Sequence, residues 1–592
     1  MTSNTYRTHT CGQLRAEHVE QTVKLAGWVN NYRDHGQLVF VDLRDRDGLT
    51  QLVFDADDCG TDGLETARKL RHEWVISAQG VVKPRGEGFE NPKLATGKVE
   101  LRVKTFTVES ASPTPPFTPD EHEKVGEERR LQYRYLDLRR PAMQKTIRVR
   151  SDVTKIMRDV LYGEGFMEIE TPMLCRSTPE GARDFVVPSR LQPGMFYALP
   201  QSPQLFKQLL MVGGADKYMQ IARCFRDEDP RADRQAEFTQ LDIEMSFVDR
   251  DDVMGVAEGV IREIWKKVLG VEVPSPIPHM EYAQAMDQYG SDRPDLRYGM
   301  KLVDVTDLGK KTDFKVFSAA PLVKAIVVPG GATMTRAQTD GLAEWAKGFG
   351  AKGLAVTKVQ GGKLETGVAK FLEPIAADLI ARLGADDGDL IAFAADTSKI
   401  VHKVLGELRL KMAKDLKLTP STEWAWVWVV NFPAFEFDAG EKRYFALHHP
   451  FTAPLDEDLE KLGSDDVATV EGIRSKAYDL VLNGNELGGG SIRIHNTDVQ
   501  QRVFGRLGIG PDEQREKFAF LLDALKFGAP PHGGIAFGLD RIVMLLRGLD
   551  NIRDVIAFPK TQTGQDVMSG APAGLAAKQL DEVSIRVIDR GN

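Results

Sequence analysis

Residues 224–244 read CFRDEDPRADRQAEFTQLDIE. The stretch sets Arg226 beside Asp227 and Glu228, runs through a loop dense in Arg and Asp that ends at Gln235, and closes in alternation: Phe238, Gln240, Asp242, Glu244. In a strand, residues two apart share a face, so these last four side chains line one surface. The pattern predicts a strand–loop–strand hairpin with arginines at its mouth. Guanidinium groups pair bidentately with phosphate oxygens, so such a mouth suits a polyphosphate. The same composition fits an exposed hairpin carrying surface ion pairs, and the stretch alone does not separate the two.

Two further constellations lie downstream. In YDLVLNGNELGGGSIRIHN (478–496), Asp479 and Glu486 share a face only if the backbone between them is helical or turned. Two such carboxylates can hold Mg²⁺ on a nucleotide, a cation that takes one or two carboxylates plus phosphate oxygens. The run Gly488–Gly490 lets backbone approach a ligand closely, and Arg493 follows on the next strand; glycine runs also occur in ordinary turns. In GGIAFGLDRIVMLL (533–546), a strand and a turn at Gly538 lead into an amphipathic helix whose first turn carries Leu539, Asp540 and Arg541. A helix N-terminus favours phosphate, but G-x-D-R alone is a weak signal.

Working outward, the first ~110 residues predict a small β domain. TVKLAGWVNNYR, GQLVFVDLRD, GLTQLVFDA, WVISAQGVVK and KVELRVKTFTV alternate apolar and polar residues, with a helical stretch, ETARKLRHE, before the fourth. Five such strands fit an oligonucleotide-binding barrel and other small barrels equally. SPTPPFTPD (112–120) breaks the pattern as a linker. A helical run from Met143 leads to MEIETPML, where Pro172 ends a strand-like segment, and residues ~291–420 form an α/β insertion before the strand run at 422–438. The predicted division is 1–111, a linker at 112–140, 141–290, an insertion at 291–420, and 421–592.

Composition narrows the class. A chain of 592 residues, 42% hydrophobic and 28% charged, is an ordinary globular protein with room for several domains. No apolar run reaches membrane-spanning length and the N-terminus carries no signal-peptide pattern, so a cytoplasmic protein without a membrane partner is expected. Cys11, Cys59, Cys175 and Cys224 stand singly, which argues against a zinc site or disulfide framework. The net charge of −9 does not point to nucleic acid. Residues 129–150, with eight Lys/Arg and one acid, Asp137, can nevertheless neutralise phosphates or form a solvated helix face.

Taken together and in order, these segments resemble the motifs of class II aminoacyl-tRNA synthetases: GFMEIETP, FRDE…EFTQLD and GLDR. TPEGARDF, LPQSPQLFKQLLM, HHPFT, NELGGGSIRIHN and PHGGIAFGLDRIVML narrow the resemblance to the bacterial-type aspartyl enzymes, end to end. It implies an α+β fold: an antiparallel six-stranded sheet flanked by helices, an N-terminal OB barrel that binds the anticodon, and an inserted GAD domain. It also implies a homodimer built on the GFMEIETP segment. The implied activity joins L-aspartate, ATP and tRNA. Aspartate is held by Glu180, Gln204, Lys207, Arg226, Gln240, Asp242, His448 and Arg493, with His449 as a neighbour. On this reading Lys207 and Arg493 recognise the side-chain carboxylate, and asparagine would leave both cations unpaired. ATP is held by Arg226, Asp227, Glu228, Gln235, Phe238, Glu486 and Gly538 to Arg541, with Arg226, Glu228 and Arg541 catalytic and Mg²⁺ on Asp479 and Glu486. Arg33, Phe40 and Gln51 match the family's anticodon-reading positions.

The resemblance also bears on tRNA choice. Relaxed bacterial forms, which charge tRNA(Asp) and tRNA(Asn), carry R-D-H-G in the first barrel loop and a small residue in a later one. The strict form has Leu and a long cation there. This chain has His35 in Arg33–Gly36, and Gly88, which implies the relaxed form. The alternatives are a strictly discriminating aspartyl enzyme or an inactive tRNA-binding paralogue. The latter requires a broken motif, yet Arg226, Glu228, Asp479, Glu486 and Arg541 are all present. Asparaginyl and lysyl enzymes share the fold, but Lys207 with Arg493 argues for an acidic substrate. TQTGQDVMSGAPAGL near the C-terminus departs from the family pattern and holds no assigned residue.

Overall fold

Five strands, Thr22–Asp34, Leu38–Asp45, Gly48–Asp55, Val75–Pro84 and Val99–Ser110, close into a barrel in the order first, second, third, fifth, fourth. The computed structural model describes residues 4–119, 125–177 and 182–588. These fall into two compact units, one drawn from 1–149, 229–234 and 551–574, the other from 150–228, 235–550 and 575–592.

Alternation builds the barrel. Val23, Leu25, Val39, Val41 and Leu43 point inward and are fully or almost fully buried, while their sequence neighbours face out. The helix before the fourth strand differs from expectation. It spans Ala56–Ala67 rather than ETARKLRHE, because Asp55 caps its N-terminus by accepting from the Asp58 N–H. Beyond it, Glu73 turns the chain at φ 65°, its carboxylate held by both Arg44 guanidinium bonds at 2.8 Å.

The basic stretch 129–150 divides in use: part of it turns inward, while Lys145 and Arg148 stay exposed. Asp137, fully buried, accepts from Arg134 and from Arg140 Nε at 2.6 Å. The rest of the Arg134 guanidinium donates to the carbonyls of Ala557 at 2.9 Å, Ile556 at 2.8 Å and Arg553 at 3.1 Å. Much of this basic run therefore staples the chain internally rather than facing solvent. The long helix Pro141–Gly163 follows.

The second unit is built on an eight-stranded sheet. Its order is His279–Glu281, Trp426–Val430, Ala477–Leu482, Asn485–Ile492, His532–Gly538, Glu237–Ser246, Lys217–Phe225 and Met167–Glu168. The central six strands pair antiparallel, as the resemblance implies, and the two short edge strands add parallel pairings. Of MEIETPML, only Met167 and Glu168 join the sheet. Helix Arg250–Leu269 buries Val253, Ala257, Val260, Ile261, Ile264 and Trp265, one stripe at helical spacing. The insertion carries its own five-stranded antiparallel sheet, whose strand Leu390–Asp396 sends Leu390 and Ala392 into one apolar cluster and Ile391 and Phe393 into another.

Candidate active site

The hairpin at 217–246 forms in the expected register, with Phe238 opposite Cys224, Gln240 opposite Ala222, Asp242 opposite Gln220 and Glu244 opposite Tyr218. On its other edge, Asp242 faces Ala536 and Glu244 faces Gly534. A Cβ on Gly534 would stand 2.0 Å from Glu244 Oε2, so only glycine leaves room for that carboxylate. The common face of this strand is thus a floor of Phe238, Gln240, Asp242 and Glu244.

The inner half of that floor is a buried charge network. Lys207, on the helix Gln204–Val212, places Nζ 2.6 Å from Asp242 Oδ1 and 3.2 Å from Glu244 Oε2. Arg493 donates from Nε and Nη2 to Glu244 at 2.9 and 3.0 Å. Its Nη1 reaches the Ser491 hydroxyl at 2.6 Å and His449 Nε2 at 2.8 Å. All four charged side chains are at most 2% exposed. The sequence reading left both cations unpaired in the absence of an acidic substrate; the structure corrects this, because Asp242 and Glu244 already pair them.

Electrostatics differ sharply between the two carboxyls. Burial pushes Asp242 up, and Lys207 only partly offsets it, so its carboxyl sits above the usual range. Burial also acts on Glu244, but Arg493 and Lys207 outweigh it and bring it down to about 2. His448 is exposed and His449 half-buried; desolvation, reinforced by the neighbouring Arg493 and Lys207 cations, holds both below the usual imidazole value, so both are neutral at pH 7. His448 Nδ1 meets the Thr452 hydroxyl at 3.2 Å. Among the described residues, two polar atoms here are buried without a hydrogen-bond partner, the acceptor Asp242 Oδ2 and the donor Gln204 Nε2. An uncommitted acceptor and donor in one pocket match a ligand carrying both an ammonium and a carboxylate.

The outer half carries the arginines. The Arg226 N–H donates to Ala236 O at 2.8 Å, closing the base of the loop, and the Glu228 N–H donates to Arg226 O at 2.9 Å. The Arg226 guanidinium lies over the Phe238 ring, 5.1 Å from its centroid. Asp227 is 3.7 Å from Arg183, and Gln235 is buried. Arg541, in the first turn of Leu539–Leu546, donates from Nη1 to Glu486 O, which links the GLDR helix to the second constellation. Asp540 plays another part: its carboxylate accepts from Arg150 and from the Thr239 N–H at 2.9 Å, and is buried as a brace. Its side chain is committed to that brace, which leaves only backbone for the nucleotide contact the sequence reading assigned to it.

Asp479 and Glu486 come together through a hairpin, not a helix. Asp479 pairs with Gly489, and a bulge between Leu480 and Val481 brings Glu486 to the same face. A Cβ on Gly489 would stand 2.6 Å from Asp479 Oδ1 and 3.3 Å from Glu486 Oε1, so those oxygens lie within about 6 Å of each other. Burial first, then the Glu486 and Asp292 charges, push Asp479 well up. A like-charged pair without a cation between them suits a divalent metal. Among the described residues no cluster of three or more metal-ligating side chains exists, so further ligands must come from elsewhere.

On the barrel, Arg33, Phe40, Gln51 and His35 meet on one face. Arg33 stands opposite Phe40, with its guanidinium 5.9 Å from the ring centroid. Arg33 Nη2 reaches Asp42 at 3.2 Å and Gln51 Oε1 at 3.3 Å, and Gln51 Nε2 donates to Glu100 at 3.0 Å. The His35 ring packs edge-on against Phe40 at 5.6 Å. Phe40 is half-buried on this outer face and does not join the barrel core. Gly88 sits apart, exposed at φ 81° in the loop before the fifth strand.

Glu180 lies outside the described residues. The sequence reading missed Glu244 as a partner of both cations, as well as Ser491 and Thr452 in the pocket, Arg150 as the brace of Asp540, and Asp42 and Glu100 on the barrel. For Glu244 a signal existed: it continues the two-residue alternation of Gln240 and Asp242.

Comparison with known proteins agrees with this geometry. The family described as tRNA synthetases class II (D, K and N) matches residues 126–562, and the OB-fold nucleic acid binding domain matches 23–109. An aspartate–tRNA(Asp/Asn) ligase of Nitratidesulfovibrio vulgaris is 52% identical over 582 residues, covering 98% of this chain and 95% of that protein. An aspartate–tRNA ligase of Halalkalibacterium halodurans is 50% identical over 588 residues, covering 98% of each. A solved asparaginyl-tRNA synthetase from Pyrococcus horikoshii, in complex with asparaginyl-adenylate, has the same fold at a TM-score of 0.57 and 19% identity, covering 93% of this chain and 98% of that one. The chain therefore belongs to the class II tRNA synthetases of the D, K and N type, among the aspartate–tRNA ligases.

Proposed function

We infer that this chain is an ATP-dependent aspartate–tRNA ligase that charges tRNA(Asp) and tRNA(Asn). The observation that carries the substrate assignment is the buried square of Lys207, Asp242, Glu244 and Arg493, with Asp242 Oδ2 and Gln204 Nε2 unsatisfied beside it. In this reading the aspartate ammonium donates to Asp242 and Gln240, and the side-chain carboxylate meets Lys207 and Arg493. The pocket's two cations plus the ammonium then balance two carboxylates plus the substrate side chain. Asparagine removes one negative charge and leaves one buried cation uncompensated, a mismatch worth several kcal/mol.

Activation needs no protein nucleophile. An oxygen of the aspartate α-carboxylate attacks the α-phosphorus of ATP, the bond from that phosphorus to the α,β-bridging oxygen breaks, and aspartyl-adenylate and pyrophosphate result. The terminal ribose hydroxyl of tRNA then attacks the aspartyl carbonyl, and AMP leaves. Arg226 holds the α-phosphate, Arg541 the γ-phosphate, Glu228 and Gln235 contact the nucleotide, and Phe238 offers its ring to adenine. These groups act by orienting reactants and stabilising phosphate charge. Asp479 and Glu486 would hold Mg²⁺, which supplies charge neutralisation on the phosphates when bound. Glu180 completes the ammonium site by family analogy.

Around the GFMEIETP segment, Tyr162, Met167, Leu174, Leu191, Met195 and Phe196 are each about half exposed or more. Such an apolar surface supports a homodimer there. No helix among the described residues is long and apolar enough to cross a membrane.

The His35–Phe40 contact and the small residue at Gly88 support acceptance of both tRNAs. Aminoacylation of separate tRNA(Asp), tRNA(Asn) and unrelated transcripts tests the reading. Both cognate transcripts should be charged well above the control. Charging of tRNA(Asn) no better than the control would make the enzyme strict, and failure with both would overturn the assignment.

A further inference from the structure

A cleft of about 440 Å³ opens on the barrel unit, between the turn Asp45–Gly48, the segment Lys93–Thr96 and the first turns of helix Pro141–Gly163. Six cations line it: Arg44, Arg46, Lys93, Arg139, Lys145 and Arg148. Three carboxylates answer them. Glu73 is shared by Arg44 and Arg139, each at 2.8 Å. Asp47 is shared by Arg148 at 2.6 Å and Arg46 at 3.7 Å. Asp45 is turned to backbone, accepting from the Cys11 and Asp47 N–H groups at 2.9 and 2.8 Å, with Arg7 at 3.4 Å.

Lys93 and Lys145 are exposed and make no ion pair among the described residues. Six cations and two carboxylates, Asp45 and Asp47, line one cleft, in a chain whose net charge is −9. The free ammonium groups stand on two separate elements of one open cleft that is lined by further cations, which suits an extended run of phosphates better than a single small anion. Position adds a second argument. The cleft includes Gly48, the first residue of the strand that carries Gln51 three residues on, about 10 Å along the barrel surface. Base-reading positions and cleft therefore lie on one short track.

We propose that this cleft binds the phosphodiester backbone of tRNA next to the segment read by Arg33, Phe40 and Gln51, with Lys93 and Lys145 as its free phosphate contacts. The proposal rests on the ligase reading above and extends it to a site that reading does not use. Phosphate contacts of this kind position the nucleic acid and release counterions without reading sequence.

The test uses the full-length protein with Lys93→Ala and Lys145→Ala combined, and Lys93→Arg with Lys145→Arg as the charge-keeping control. Binding of a tRNA(Asp) transcript is measured from 50 to 200 mM KCl, alongside ATP–pyrophosphate exchange. The double alanine variant should lose about tenfold in affinity near 100 mM KCl, and its slope of log K against log salt should flatten by about 2. Exchange should stay at the wild-type level, and the arginine pair should bind as wild type. Unchanged affinity and slope would overturn the cleft while leaving the ligase reading intact. A loss of affinity with an unchanged slope would also overturn it, as a structural effect. So would inorganic tripolyphosphate saturating the wild-type cleft at micromolar concentration without displacing tRNA, which would assign it to a small anion. A wild-type chain that binds no tRNA would overturn both readings together.

Discussion

Replacing Glu244 by Gln removes one charge from the middle of the amino-acid pocket while keeping its shape. In the wild type this carboxylate is fully buried, bonded twice to Arg493 at 2.9 and 3.0 Å, and 3.2 Å from Lys207. Those two cations outweigh burial and lower it from 4.5 to about 2, which corresponds to about 3 kcal/mol at neutral pH. Breaking a buried pair by deleting one partner gives a similar figure, about 3–5 kcal/mol. Because the folded value is depressed, the stabilisation is complete above the ordinary carboxylate range and is lost as pH falls from 4.5 through about 2. Glu244→Gln should therefore cost about 3 kcal/mol at pH 7, and roughly 1 kcal/mol of that deficit should vanish by pH 4, where the carboxylate of the unfolded chain takes up a proton while the folded one stays ionised. Urea unfolding followed by tryptophan fluorescence reads this directly, since Trp426 and Trp428 lie buried in the same sheet. A deficit below about 1 kcal/mol at pH 7, or one that grows as pH falls, would refute the charge network as the source of stability.

Arg226→Ala should lower ATP–pyrophosphate exchange by a factor of about 10²–10³ or more, with little change in melting temperature, because the guanidinium lies on the Phe238 ring and outside the buried network. Near-normal exchange would remove Arg226 from the phosphate site. Gly489→Ala puts a methyl 2.6 Å from Asp479 Oδ1 and should raise the Mg²⁺ concentration needed for half-maximal exchange about tenfold; an unchanged Mg²⁺ profile would count against that carboxylate pair as the metal site. His35→Leu removes a polar ring packed 5.6 Å from Phe40 and should lower kcat/KM about fivefold for tRNA(Asn) relative to tRNA(Asp), the equivalent of about 1 kcal/mol. Equal losses on both tRNAs would deny His35 a part in the choice.

What was legible in the sequence was local or patterned. The alternation Phe238–Gln240–Asp242–Glu244 placed four side chains on one face, and the strand at Glu237–Ser246 does so. The partners of those side chains were not legible, because they are set by register and distance in space. Lys207 comes from a helix 35 residues upstream of Asp242 and Arg493 from 249 residues downstream of Glu244, so no spacing rule announces that Glu244 joins them. The same limit hid the inward-turned part of the basic run at 129–150. A count of charges cannot tell that a single buried carboxylate, Asp137, and a few carbonyls absorb Arg134 and Arg140. The family resemblance made Asp540 a nucleotide contact, as part of the GLDR motif. Its commitment to Arg150 and Thr239 depends on a helix 390 residues away in sequence.

The two halves of the candidate site differ in how firmly they are held. On the amino-acid side, Lys207, Asp242, Glu244 and Arg493 are locked by one another, and Gly534 is bare so that Glu244 can lie against its backbone. Moving any one of them leaves a buried charge without its partner, so this half keeps its shape whether or not substrate is present. On the nucleotide side, Arg226 rests on an aromatic face, a contact worth ~0.5–2 kcal/mol, which a phosphate partner outbids easily. On the proposed reading, ATP draws Arg226 onto its phosphates and frees the Phe238 ring for adenine at small cost. On the same reading, discrimination between aspartate and asparagine belongs to the rigid half, where an uncompensated charge cannot be relieved by relaxation. Adjustment to the nucleotide belongs to the loop, where the contacts are weak enough to exchange.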